Sequence, residues 1–141
     1  MATDRGPAVP GLIRVPIRVD GDIVTARQQG RALAEKVGFN GSDLTCIATA
    51  ISELSRNILR YAGSGEVILR PAQVGSKQGI VVIARDEGPG IPDIDLALQD
   101  GFSTSSSLGL GLPGTRRLMD ELEIDSFIGR GTTVTAKKWL E

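Results

Sequence analysis

Histidine is absent from this sequence, which removes the commonest general base, the commonest metal ligand and any phosphohistidine intermediate. Chemistry here must run on carboxylates, amides, hydroxyls and the backbone. Cysteine occurs once, at Cys46, so no internal disulfide can form, which suits a reducing compartment. Cys46 falls inside an apolar helical pattern and reads as core filler. Aromatic residues make up only 4% of the chain, and charge is balanced at 16 Lys+Arg against 17 Asp+Glu. With the basic residues scattered, neither an electrostatic footprint nor a stacking platform for nucleic acid is present. The longest purely apolar run, Ile80 to Ala84, is far too short to cross a bilayer, and the start MATDRGPAVPG lacks the apolar middle of a signal peptide. The expectation is a soluble, cytoplasmic protein without a nucleic-acid or membrane partner.

At 141 residues the chain is expected to form one domain over residues 12–141, preceded by a flexible arm of Pro, Gly and Ala over residues 1–11. Ile13, Val15, Ile17 and Val19 alternate with Arg14, Pro16 and Arg18, the pattern of a half-buried strand whose proline suits an edge. Asp20 or Asp22 can cap a helix that ends at Gly38, with Ile23, Leu33 and Val37 as anchors despite Gly30 in its interior. Ser42 can cap a longer helix that Gly63 stops. In it Leu44, Ile47, Ile51, Leu54, Ile58 and Tyr61 recur three and four apart as one apolar stripe. EVILR and GIVVIARD form a hairpin about VGSKQG. Pro92 and Asp93 open a short helix ending at Gly101. Pro113 lies near the start of another helix, GTRRLMDEL, which turns Leu118, Met119 and Leu122 inward. EIDSFI and TTVTAKKWL close the chain as a second hairpin about Gly129-Arg130-Gly131. This order separates hairpins from helix pairs, which predicts an α+β two-layer sandwich: a mixed, mostly antiparallel sheet with helices on one face.

Several residues are left over from this core. Glu53 and Asn57, four apart on the long helix, project away from the apolar stripe in line with Cys46 and Ala50. Asp86 ends a buried strand and is followed by Gly88 and Gly90. Glycines permit close approach to a ligand, and a carboxylate at a strand end can accept hydrogen bonds from an exocyclic amine. Gly109, Gly111 and Gly114 spell GxGxxG ahead of a helix, where backbone N–H groups suit phosphate. That motif follows the hydroxyl-rich loop GFSTSSSL instead of a strand, so the dinucleotide-binding reading lacks its βαβ unit. The lysine-bearing phosphate loop GxxxxGK[ST] is absent from the chain.

Taken together, Glu53 and Asn57, Asp86-Gly88-Gly90, Gly109-Gly111 and Gly131-Thr132 resemble, in order and spacing, the N, G1, G2 and GT boxes of the GHKL ATPase superfamily. Within it, ISELSRNILRYAG, DEGPGIPD, DGFSTSSSLGLGLPGTRRLMDE and GTTVTAKKWLE are similar to the RsbT-type serine/threonine kinases that switch the bacterial stressosome. The resemblance covers residues 12 to 141 and implies a GHKL (Bergerat) sandwich that uses ATP and Mg²⁺. Asp86 would contact the adenine amine with support from Thr132, and Gly88 and Gly90 would admit the base. Gly109, Gly111 and the N–H groups leading into Gly114 would hold the phosphates. Asn57 would ligate Mg²⁺, and Glu53 would orient or deprotonate the attacking hydroxyl. The family implies transfer to a STAS-domain protein, after which the freed kinase activates a PP2C-type phosphatase. The alternative is a nucleotide-gated binding module or anti-sigma-type regulator without phosphoryl transfer. Related anti-sigma kinases carry a basic residue in the lid, whereas residues 101–113 contain none. Arg116, Arg117 or a partner would then supply the cation, and the isolated protein is expected to turn over ATP slowly.

Overall fold

The computed structural model describes residues 11–90 and 112–141. The expected arm, apart from Gly11, lies outside these residues. So do the expected helix from Pro92 to Gly101, the hydroxyl-rich loop, and Gly109 and Gly111.

The alternating segment forms β1 (Ile13–Ile17), with Val15 and Ile17 buried. Helix α1 (Asp20–Val37) follows it. Its N-cap is Val19, which has no polar side chain to offer. Asp22 does the capping from inside the first turn, its carboxylate accepting the N–H groups of Arg18 at 2.8 Å and Val19 at 3.1 Å. Gly38, at φ 126°, ends the helix as expected, and Phe39 donates back to the Ala34 carbonyl at 3.0 Å. Helix α2 (Gly41–Asn57) begins after Asn40, not Ser42, and neither side chain closes a cap bond at that N-cap position. The expected single helix to Gly63 is also divided: after Asn57 the backbone widens into a π turn (Ile58–Ala62). Gly63 closes it by donating to the Ile58 carbonyl at 2.9 Å.

β2 (Gly65–Val74) and β3 (Lys77–Asp86) pair along their full length and leave only Gly75 and Ser76 as the turn. The loop expected around VGSKQG is therefore largely strand. Helix α3 (Leu112–Leu118) is shorter than expected, because Leu122 belongs to β4 (Glu121–Phe127). The cause is sheet pairing just past the helix: Asp120 donates its N–H to the Lys137 carbonyl at 2.9 Å and accepts that of Trp139 on its carboxylate at 2.8 Å. Lys138 reaches the Leu118 carbonyl at 3.2 Å, a cation at the helix C-terminus. β5 (Gly131–Trp139) completes the sheet.

Strand order is β1-β2-β3-β5-β4, and all four ladders are antiparallel. Pro16 thus sits on an edge strand, where its missing N–H leaves no central ladder bond unmade. Val15 and Ile17, Val67 and Leu69, Ile80, Val82 and Ala84, and Val134 and Ala136 share one face and join the α1 and α2 stripes in a single core. The crossing of α1 over α2 explains Gly30. A Cβ built there would lie 2.1 Å from Ile51 Cδ1 and 3.6 Å from Leu69 Cδ1, so the helices meet over that missing side chain. Among the described residues no helix is long and apolar enough to cross a membrane.

Candidate active site

Register alone assembles the centre of the site. Gly65 pairs with Asp86, Asp86 with Thr132, and Thr132 with Ser126. These four residues form one row across β2, β3, β5 and β4. Strand alternation places the row on the face shared by Val67, Ala84, Val134 and Ile124, at the end of the sheet where its apolar core stops. The row starts with a gap: a Cβ on Gly65 would sit 2.3 Å from the Arg85 carbonyl oxygen and 2.8 Å from Ile58 Cγ2, so the π turn lies close over it.

Asp86 Oδ1 accepts the N–H of Gly88 at 2.8 Å and that of Thr132 at 3.3 Å. Among the described residues both bonds to the carboxylate fall on Oδ1, which leaves Oδ2 as an acceptor for something else. Thr132 is buried, and its hydroxyl lies 2.8 Å from that of Ser126. Ser126 in turn donates to the Gly131 carbonyl at 3.3 Å. Gly131 lets β5 approach this closely. Its φ is 123°, and a Cβ there would meet the Asp86 carbonyl oxygen at 2.1 Å.

The turn after Asp86 is wedged between two elements. A Cβ at Gly88 would lie 2.6 Å from that of Ala62 in the π turn, and one at Gly90 would lie 2.6 Å from the Phe127 carbonyl oxygen. Gly129 donates to the Pro89 carbonyl at 2.8 Å. Both glycines thus have a job within the protein, the approach of chain to chain, beside the ligand contact the sequence suggests for them.

Helix α2 contributes the remaining groups. Glu53 is half-buried and paired with Arg56 at 3.1 Å. Asn57 is the last residue before the π turn, a distortion frequent at functional sites. Ala50 on the same side is fully buried, whereas Cys46 is only half-buried rather than core. Gly114 lies in α3 with nothing within 4 Å of a built Cβ. Arg116 and Arg117 are exposed on the same helix. No group of three metal-ligating side chains occurs among the described residues, so a metal here would depend on oxygens from a ligand.

Sequence reasoning missed Gly65, Arg56 and Ser126. The signal for Ser126 was available: Leu122, Ile124 and Ser126 alternate onto one face, and a hydroxyl at the third inward position is out of place in a core strand.

Comparison with known proteins matches residues 42–141 to the family of histidine kinase-, DNA gyrase B-, and HSP90-like ATPases. The chain is 52% identical over 126 residues to the serine/threonine-protein kinase RsbT of Bacillus subtilis (strain 168), covering 89% of this chain and 95% of that protein. It is 33% identical over 121 residues to an anti-sigma F factor of Caldanaerobacter subterraneus subsp. tengcongensis, covering 82% and 83%. A solved histidine kinase domain from the Erythrobacter litoralis EL346 blue-light activated histidine kinase aligns with a TM-score of 0.46 and 21% identity, over 96% of this chain and 67% of that one.

Proposed function

The chain belongs to the histidine kinase-, DNA gyrase B-, and HSP90-like ATPase family and, within it, to the RsbT type; from that premise we propose that it is a cytoplasmic protein serine/threonine kinase, transferring the γ-phosphoryl of ATP to a STAS-domain partner and, once released, activating a PP2C-type phosphatase. The observation that carries this reading is the row Gly65–Asp86–Thr132–Ser126, a polar end to an otherwise apolar sheet face, in which one carboxylate oxygen is held by two N–H groups and the other is left to a ligand.

Asp86 Oδ2 accepts from the adenine amine, with Thr132 beside it. Gly88 and Gly90 keep side chains away from the base. Gly109, Gly111 and the N–H groups leading into Gly114 hold the phosphates. Asn57 offers its amide oxygen to Mg²⁺, and the triphosphate supplies the oxygens the protein lacks, which fits a hard ion bound without a protein cage. When bound, the ion neutralises phosphate charge. Glu53 aligns the attacking serine or threonine hydroxyl. The new bond joins that oxygen to the γ-phosphorus, the hydroxyl proton passes to the Glu53 carboxylate or to an oxygen of the transferred phosphoryl group, the bond to the bridging oxygen breaks, and ADP departs. Arg56 holds the Glu53 carboxylate in place, and Arg116, Arg117 or the partner supplies the cation missing from the lid. Without the partner, ATP turnover is slow.

The test is phosphoryl transfer from γ-labelled Mg-ATP to a cognate STAS-domain protein by the native chain, Glu53→Ala and Asn57→Ala. Label on the partner, lost in both variants, is the expected result. The anti-sigma F relatives favour a second reading, a nucleotide-gated regulator. ATP binding without label on a saturating partner would favour that reading over kinase activity.

A further inference from the structure

Among the described strands, the core face of the sheet carries one charged residue near each end: Asp86 in the polar row, and Lys138, which alternates with Val134 and Ala136 onto the same side of β5. The Lys138 side chain is only 14% exposed. Its stem continues the apolar face while its ammonium reaches the helix layer. There it donates to the Leu118 carbonyl at the end of α3 at 3.2 Å, and lies 3.9 Å from Asp43 in the first turn of α2 and 3.9 Å from Asp120. The flanking residues of β5 tighten the same hold: the Lys137 carbonyl accepts the N–H of Asp120 at 2.9 Å, and Trp139 donates its N–H to the Asp120 carboxylate at 2.8 Å. Helices α2 and α3 pack against each other, and one ammonium keeps the start of the first beside the end of the second. From that point the start of α3 therefore lies toward the Asn57 end of α2. At the helical rise α3 is a lever about 9 Å long. A tilt of about 10° at its held end would shift the other end by about 1.5 Å, enough to break a hydrogen bond.

We propose that Lys138 is a positioning residue for the phosphate end of the nucleotide site: by holding the end of α3 against the start of α2, it sets where the residues leading into Gly114 stand relative to Glu53 and Asn57. This rests on the nucleotide reading above, which gives those residues to the phosphates, and deepens it. Lys138 touches no ligand itself. On β5 it is six residues from Thr132, about 20 Å at the rise of a strand, so its effect reaches the site through α3 and leaves the adenine row as it is. Its two ion pairs contribute little stability, because Asp43 and Asp120 are 49% and 46% exposed and water screens such pairs. What the ammonium adds is the placement of one helix end on another.

The experiment is calorimetric titration of Mg-ATP into the native chain, Lys138→Met and Lys138→Arg, with adenosine measured on each by its competition against ATP. Methionine keeps an apolar stem and removes the charge, and the carboxylates left behind are open to water, so the variant is expected to fold. In Lys138→Met the ATP affinity should fall about fivefold, the scale on which residues remote from a ligand modulate its binding, while adenosine affinity stays where it was. Lys138→Arg, which again brings a cation to the last carbonyls of α3, should restore the ATP affinity. A purely structural role would weaken both ligands alike and leave their ratio unmoved. An unchanged ratio in Lys138→Met, from equal losses or from none, overturns the proposal. A ratio that falls and is not restored by Lys138→Arg overturns it too, because the cation would then not be the holding group. A native chain that binds no ATP, or on which adenosine does not compete with ATP, overturns the underlying site assignment, and this failure is distinct because it depends on no variant.

Discussion

Gly131 occupies a position that no residue with a side chain fits without strain: its φ is 123°, and a Cβ would meet the Asp86 carbonyl oxygen at 2.1 Å. Gly131→Ala is therefore expected to destabilise the fold by on the order of 2 kcal/mol, combining a strained backbone with a clash against main chain. Gly114 is the control. It is helical and has nothing within 4 Å of a built Cβ, so Gly114→Ala should leave stability unchanged or raise it by up to about 1 kcal/mol through helix propensity. Urea unfolding of the two variants checks both signs. The Glu53–Arg56 pair belongs to a different class. The pair is open to solvent, with Glu53 half-buried at 36% and Arg56 exposed at 46%, and such pairs contribute at most about 0.5 kcal/mol. Arg56→Ala should leave the unfolding midpoint nearly where it was, so a loss of phosphoryl transfer in that variant would report on Glu53 orientation instead of folding.

At the scale of elements, the crossing of α1 and α2 makes the sharpest prediction. Gly30→Ala improves helix propensity by about 1 kcal/mol but inserts a Cβ 2.1 Å from Ile51 Cδ1, and overpacking costs about 1–3 kcal/mol. A net loss is expected, relieved by Ile51→Val, which removes the offending methyl; a double-mutant cycle measures that coupling. The sequence alone made Gly30 look like a weakness in a helix. Its use depends on a partner helix that periodicity cannot supply. The α2 stripe, the two hairpins and the edge position of Pro16 were legible because each depends on local spacing or on one residue's chemistry. Asn40 in place of Ser42, the π turn after Asn57 and the early start of β4 were not. The start of β4 is decided by contacts made across the fold, where the Lys137 carbonyl and Trp139 hold Asp120 beside β5. The site was legible as a set of motifs, from Glu53 to Thr132. The row that joins four strands through Gly65, Asp86, Thr132 and Ser126 required the register.

On the scale of the whole molecule, the two faces of the sheet have different work. The helix-facing side carries the core and ends in the polar row. The opposite side carries Arg14, Glu66 and Arg85, linked at 3.0 and 3.4 Å. These exposed pairs are screened by salt, so Glu66→Gln should change stability by no more than about 1 kcal/mol. The site should govern stability far more strongly, through ligand binding: Mg-ATP at a hundred times its dissociation constant would stabilise the native state by about 2.7 kcal/mol, and NAD would not. Thermal unfolding with each ligand separates these outcomes. The most direct test of the central claim, that the polar row binds an adenine nucleotide through the outward oxygen of Asp86, is calorimetric titration of Mg-ATP into the native chain and Asp86→Asn. The amide oxygen of asparagine keeps the bonds from Gly88 and Thr132 but turns a donor toward the ligand in place of Oδ2. The account predicts an unfolding temperature close to native without nucleotide and ATP binding at least about tenfold weaker. Equal affinity in the two proteins would contradict it.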